Sequence, residues 1–173
     1  SLLEAVLQLP GVNHAYISSG LRMELLTMAP RLLHTLLKRH IPGAMKIAPE
    51  HTEDEVLALM HKEPHEQLSR FMAALKNACR SLNKTMTVTP YIISSHPGCT
   101  VEHTRNMVAR LKKLGIAVRQ FQDFTPSPGT ISTAMYVSGL HRDTEKPITV
   151  AKNQTDRLNQ RRLIEEGFFR TKK

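Results

Sequence analysis

The sequence predicts an α/β fold, a run of parallel βα units that form part of a TIM-type barrel, followed by an irregular C-terminal tail. Three observations predict it. Short strand-forming runs alternate with segments of helical period, the pattern that gives parallel pairing with right-handed crossovers. The layout strand, polar loop, helix recurs four times. Every recurrence ends its strand in polar residues, which is how α/β proteins build ligand sites at the carboxyl ends of parallel strands. Four units cannot close a barrel, and the first strand would carry an unpaired edge. Either the sheet is open or its partner strands lie in sequence outside this chain.

The elements follow in order. Ser1 reads as the cap of a helix over residues 2–9, LLEAVLQL, stopped by Pro10–Gly11. A chain without an initiator Met that opens in a helix is expected to open inside a domain. Val12–Ser18 alternates as a strand, and Gly20 turns the chain. Arg22–Arg39 carries Leu25, Leu26, Leu32, Leu33, Leu36 and Leu37 at helical spacing, with Pro30 set to kink or split it. Ala44–Ala48 is the second strand, and Thr52 with Glu55 forms a capping box for a helix from Glu53 to Met60. His65–Ser81 is a helix with Leu68, Met72, Leu75 and Ala78 on one face. Met86–Ile93 is the third strand, Val101–Leu114 a helix closed by Gly115, and Val118–Phe124 the fourth strand. Ser132–Val137 reads equally as helix or strand. Residues 139–153 read as loop and extended chain and Asp156–Glu166 as a polar helix. The division expected is residues 1–138 for the barrel portion and 139–173 for the tail.

Composition narrows the class. The chain has 173 residues, 40% of them apolar, enough for a single domain with a real core. It carries 24 basic and 15 acidic side chains, a formal net charge of +9, and its pI is 9.9. That balance suits a polyanion, a phosphorylated ligand or an acidic neighbour, or it is simply a solvated basic surface. Two cysteines exclude a disulfide framework and show no zinc spacing, which fits a reducing compartment. No apolar run approaches the ~20 residues of a membrane span, and Leu2–Leu9 is not a signal peptide because it carries Glu4 and lacks a basic flank. A cytoplasmic protein is expected.

Parallel topology puts the four strand ends on one rim. They read Ser18–Ser19–Gly20–Leu21–Arg22, Ala48–Pro49–Glu50–His51, Ser94–Ser95–His96–Pro97–Gly98 and Gln122–Asp123–Phe124–Thr125. The opposite rim has plain turns: Pro10–Gly11, His40–Gly43, Asn83–Lys84 and Leu114–Gly115. Glu50–His51 suits acid/base work or a ribose hydroxyl, although Glu50 also suits the positive end of the helix that follows. Arg22 at a helix start opposes the macrodipole and points to an anion nearby, or is solvated. The loop His96–Thr100 brings backbone N–H groups near a ligand but lacks the glycines and Lys of a phosphate loop. Cys99, close to a helix N-terminus, is read as a loop thiol rather than a nucleophile for want of a paired base. Cys79 is read as core, and Asp123 as a hydrogen-bonding residue. His61, His65, His103 and His141 have no metal-ligand spacing, and the methionines fall at packing positions. The TPSPGT loop is a rigid turn first.

The order SSGLR, KIAPEHTEDEVLALM, PYIISSHPGCTVEHT and QDFTPSPGT resembles the later part of the radical S-adenosylmethionine (SAM) domain of YgiQ-type iron–sulfur proteins. The resemblance covers roughly Leu2 to Gln160. A looser similarity to radical SAM methylthiotransferases runs in parallel, through Pro97–Gly98–Cys99–Thr100 and Gly129–Thr130. It implies a partial (βα)6 barrel whose carboxyl rim holds SAM and a [4Fe–4S] cluster, where SAM cleavage gives a 5′-deoxyadenosyl radical that abstracts hydrogen from a substrate. Ser18, Ser19, Arg22, Glu50, His51, Ser95, His96, Gln122 and Asp123 would line that rim. The family holds its cluster on a CxxxCxxC pattern that this chain lacks, and Cys79 and Cys99 do not replace it. The chain then reads as the C-terminal part of a radical SAM region, inactive alone, missing the N-terminal part of the barrel, its substrate open. Residues Glu165–Lys173 depart from the family pattern. A second reading is a non-catalytic basic module binding RNA or another polyanion. Charge favours it, while 5% aromatics and the lack of an RNA-binding signature oppose it. A third is a remnant without activity.

Overall fold

The computed structural model describes residues 2–169. Ser1, expected as a cap, and residues 170–173 of the tail lie outside them. The elements are helices α1 (Leu2–Leu7), α2 (Met23–Met28) and α3 (Pro30–Arg39), strand β1 (Ala44–Glu50), helices α4 (Asp54–Leu59) and α5 (Glu66–Ser81), strand β2 (Thr87–Ser94), helix α6 (Val101–Lys113), strand β3 (Gln122–Asp123), and helices α7 (Ile131–Ser138) and α8 (Gln154–Phe168). The sheet is parallel, in the order β1-β2-β3.

Alternation makes the sheet one-sided. Met45, Ile47, Val88 and Ile92 are buried on one face, while Lys46, Ala48, Glu50, Thr89, Tyr91 and Ile93 stand half-buried on the other. Helices cover only the first face. There Leu33, Leu36 and Leu37 of α3, Leu68, Phe71 and Leu75 of α5, Met107 and Leu111 of α6 and Ile164 of α8 form one core with the strands. Each such side chain taken fully from water contributes about 1.5–3 kcal/mol. A parallel sheet with helices on one face and a half-wet second face is the wall of a barrel, whose strands point alternately outward and into a lumen.

Pro30 splits the long Leu-rich helix as expected, becoming the first residue of α3, where its missing N–H costs nothing. The last turn of α3 is closed from a distance. Lys84 Nζ donates to Leu37 O at 2.5 Å and Ile41 O at 2.7 Å, a cation on the negative end of a helix. Thr100 caps α6 through a reciprocal pair with His103. Ser132–Val137, open to either assignment, lies within α7, capped by Thr130 and ended by Gly139 at φ 72°.

Two of the four expected strands differ. Val12–Ser18 forms no strand. Ile17 N–H reaches His40 O at 3.0 Å, Leu21 N–H reaches Lys46 O at 2.9 Å, and a single parallel bridge joins Leu21 to Ile47. The His40 ring occupies the Ala15 carbonyl at 2.8 Å, so the segment follows the edge of β1 without building a ladder. Val118–Phe124 pairs only over Gln122–Asp123, opposite Ile93 and Ser94. Pro90 explains the shortfall. Ser94 O accepts from Phe124 N–H at 2.8 Å, so Ser94 faces β3. By two-residue alternation Pro90 faces β3 as well, with no hydrogen to donate. On the other side β1 slips register between Ile47 and Glu50, a bulge that carries Pro49. Among the described residues no helix is long and apolar enough to cross a membrane.

Candidate functional site at the strand tips

The bulge sets the tip of β1. His51 N–H bonds Pro49 O at 2.7 Å across a γ-turn centred on Glu50, whose φ is 62°. Ser95, just past β2, has φ 59°. Adjacent tips thus both place a non-glycine residue in the left-handed region, a strain that clusters at ligand sites.

The tips differ in what they offer. The Glu50 carboxylate is half-buried and lies 3.0 Å from Lys62 Nζ. Together with Tyr91, Ile93, Phe121, Gln120 and Gln122 it lines a concavity on the helix-free face of the sheet. Gly20 stands against the Tyr91 ring at its rim, where a Cβ would lie 3.5 Å from the ring. Asp123 accepts from Ser94 Oγ at 2.5 Å and pairs with Arg161 Nη1 at 3.2 Å. Both tip carboxylates therefore have a cation of their own.

His51, Ser95 and His96 are at most 3% exposed and turn inward. His51 Nδ1 accepts from Glu53 N–H at 3.1 Å, which leaves the proton on Nε2, pointed at Cys99 Sγ 3.4 Å away. Burial holds the imidazole neutral, its pKa lowered to about 3, with His103 and His96 adding to the shift. Burial also pushes the Cys99 thiol up to about 11. An imidazole does stand beside Cys99, contrary to the expectation that it lacks a paired base, but the pair is a neutral hydrogen bond and not a thiolate–imidazolium couple. His96 has Nδ1 2.8 Å from Pro97 O and Nε2 2.8 Å from Ser132 Oγ, and its ring meets Phe124 edge-on. Desolvation lowers its pKa too.

Ser18, Ser19 and Arg22 are exposed, and Ser18 and Ser19 join neither group. Arg22 pairs with Glu24 and lines a cleft with Pro49, His51 and Lys62 at the β1 tip, and a carboxylate two residues away answers its misfit with the helix dipole. Sequence reasoning missed Lys62, Tyr91, Thr104 and Gln160. Tyr91 was legible, since it alternates with buried Pro90 and Ile92. Gln160 left one faint signal, its place four residues before the apolar Ile164 on the same helix face.

The two thiols give a direct check. Alkylation of the native protein should modify Cys79, which is half-buried on α5, and leave Cys99, which is 0% exposed, until denaturant is added. Equal labelling of both would contradict this packing.

A one-sided parallel βα sheet with polar, strained tips is a section of a partial TIM-type barrel, of the kind radical SAM proteins use. The solved structure of coproporphyrinogen III oxidase (HemN) from Escherichia coli, described as a radical SAM enzyme, superposes with a TM-score of 0.61 over 85% of this chain and 30% of that one, at 15% identity. Over nearly its whole length the chain is homologous to the UPF0313 proteins, the YgiQ-type family of the radical SAM superfamily. Identity is 37% to a UPF0313 protein of Geobacter sulfurreducens over 95% of this chain. It is 36% to one of Bacteroides thetaiotaomicron over 94%, and 33% to one of Methanocella arvoryzae over 95%. The chain spans 27–28% of the length of these relatives. No protein-family model matches it.

The described residues do not fit an iron–sulfur cluster. No three His, Cys, Asp or Glu side chains among them are grouped to hold a metal. Cys99 is a buried protonated thiol, and Cys79 lies in a groove between α5 and the start of β2.

Proposed function

We propose that this chain supplies the C-terminal part of a radical SAM barrel in a longer protein, and that its helix-free sheet face receives SAM or the substrate beside it. The observation that carries the reading is the concavity lined by Glu50, Tyr91, Ile93 and Gln122, polar and apolar groups converging on the only sheet face that helices leave open. SAM has a base with flat aromatic faces, a ribose diol, an ammonium and a carboxylate, and when bound it supplies the 5′-deoxyadenosyl group of radical chemistry.

The residues present suit such a ligand. Tyr91 and Ile93 offer an apolar wall for a base. Glu50 accepts from a hydroxyl or ammonium, and Lys62, 3.0 Å away, holds it in place. Gln122 donates and accepts at the edge. Ser95 Oγ is buried without a hydrogen-bond partner, a tip hydroxyl whose valence the protein alone leaves open. His51 and His96 shape the loops from beneath rather than touching ligand. The cluster would be held by residues outside this chain, which on its own is expected to be inactive.

The test uses the complete gene product, reconstituted anaerobically with iron and sulfide, then given SAM and reductant. Formation of 5′-deoxyadenosine is expected. Glu50→Gln should weaken SAM binding about tenfold, the worth of one charge-assisted hydrogen bond. Unchanged affinity removes Glu50 from the site, and absence of 5′-deoxyadenosine removes the reading.

A further inference from the structure

Gln160 belongs to α8, in the stretch the sequence reads as a tail, yet it is 2% exposed. Its side-chain carbonyl receives the backbone N–H of Ser95 at 3.0 Å, lies 3.3 Å from the Cys99 thiol and lies 3.1 Å from the Thr104 hydroxyl. Its Nε2 donates to Cys99 O at 3.1 Å. One amide thus joins the β2 tip, the loop beyond it and α6. Thr104 also reaches Thr100 O at 3.2 Å, so its single proton has an outlet when Ser95 and Cys99 fill the two lone pairs of the amide oxygen.

The residue it holds is costly to hold. Ser95 has φ 59° and an unpartnered buried hydroxyl. Such a residue persists only where its surroundings over-determine it. The bond from Ser95 N–H to Gln160 is that constraint, and it comes from an element that begins 59 residues after Ser95, at Gln154. Two further ties bring the same stretch to the same rim: Gly98 N–H donates to Thr149 O at 2.7 Å, and Arg161 pairs with Asp123.

We propose that Gln160 is a positioning residue of the strand-tip site, so that α8 is part of the site and not an appendage. The amide fixes Ser95 and the loop to Cys99 at the end of β2, and so holds the Tyr91–Ile93 wall of the concavity from behind. This rests on the reading that the tips receive SAM, and the experiment separates the two.

In the complete gene product, Gln160→Leu removes acceptor and donor together, and Gln160→Glu changes only the donor. A protonated glutamic acid reproduces the amide, its carbonyl accepting and its O–H donating to Cys99 O. Once ionised it has no proton to give and sets a charge against that carbonyl. Gln160→Leu should raise the SAM Kd at least tenfold and speed native alkylation of Cys99 at least tenfold, with the far-ultraviolet circular dichroism retained. Gln160→Glu should match wild type at low pH and lose SAM affinity and Cys99 protection, relative to wild type, as pH rises. A merely structural packing role would not produce that pH dependence. If Gln160→Leu fails to fold, the Gln160→Glu profile decides. A flat profile, or a folded Gln160→Leu with unchanged Cys99 labelling, overturns the inference. If wild type binds no SAM, the functional reading falls, and Cys99 labelling still decides the role of Gln160.

Discussion

Replacing Gly98 by alanine should lower stability by about 3 kcal/mol or more, the largest effect expected of any single methyl group in this protein. Two costs add. Gly98 has φ 85°, where an L side chain costs about 1–2 kcal/mol. The new Cβ would also fall well inside contact distance of Leu59 Cδ1, and Leu59 is itself only 7% exposed. Overpacking of that kind costs about 1–3 kcal/mol. The site has little room to relax, because Gly98 N–H is bound to Thr149 O and Cys99 follows with its sulfur enclosed. Denaturant midpoints measure the loss. A Leu59→Ala background should recover the overpacking share and leave the backbone share, so the double-mutant cycle separates them. A Gly98→Ala variant within 1 kcal/mol of wild type would refute the close approach.

The second large effect is with acid. His51 titrates near 6.5 when unfolded and at about 3 when folded, because burial disfavours its charge and His103 and His96 repel it. The unfolded chain therefore binds the extra proton first as pH falls. Stability from this group is complete above pH 6.5 and is lost as pH descends toward 3. His96, also lowered by desolvation, acts in the same direction. Asp54 and Glu24 have lowered values as well, against the opposing effect of burial, Asp54 through hydrogen bonds from His65 and Glu24 through its own backbone N–H and then Arg22, and they lose their contribution as pH falls from the ordinary carboxyl range downward. The interval from pH 6.5 down to 4.5 thus isolates the histidines. Over it His51 alone should cost about 2–3 kcal/mol. Unfolding free energies across that range should show this slope in wild type and a shallower one in His51→Gln, although the variant starts lower at neutral pH. Equal slopes would place the acid sensitivity elsewhere.

Much of the fold was legible because its signals are local. Pro30 at a helix start, Thr100 as a cap, and the alternation of Met45, Ile47, Val88 and Ile92 each follow from backbone geometry within a few residues. The first expected strand failed because strand is a property of a pair. Val12–Ser18 has the right residues, but the His40 ring takes up the Ala15 carbonyl. The fourth shortened for a reason carried by a different segment, the missing hydrogen of Pro90. The rim itself was visible as four polar tips, but polarity does not tell inward from outward. His51, Ser95 and His96 turn beneath the surface, where the two imidazoles find partners in Glu53, Cys99, Pro97 and Ser132, while Glu50 and Gln122 face the open side. Gln160 was out of reach because its partners lie 56 to 65 residues away, and its one local mark, a place on the helix face of Ile164, does not tell a buried amide from an exposed one.

Strand order along the sheet is the same as order along the chain. No later strand has to wedge between two earlier ones, so each can dock on an edge already exposed by the one before. A ribosome delivering this polypeptide could lay down the wall strip by strip, with each helix following its strand into place, and α8 arriving last to latch what had already formed.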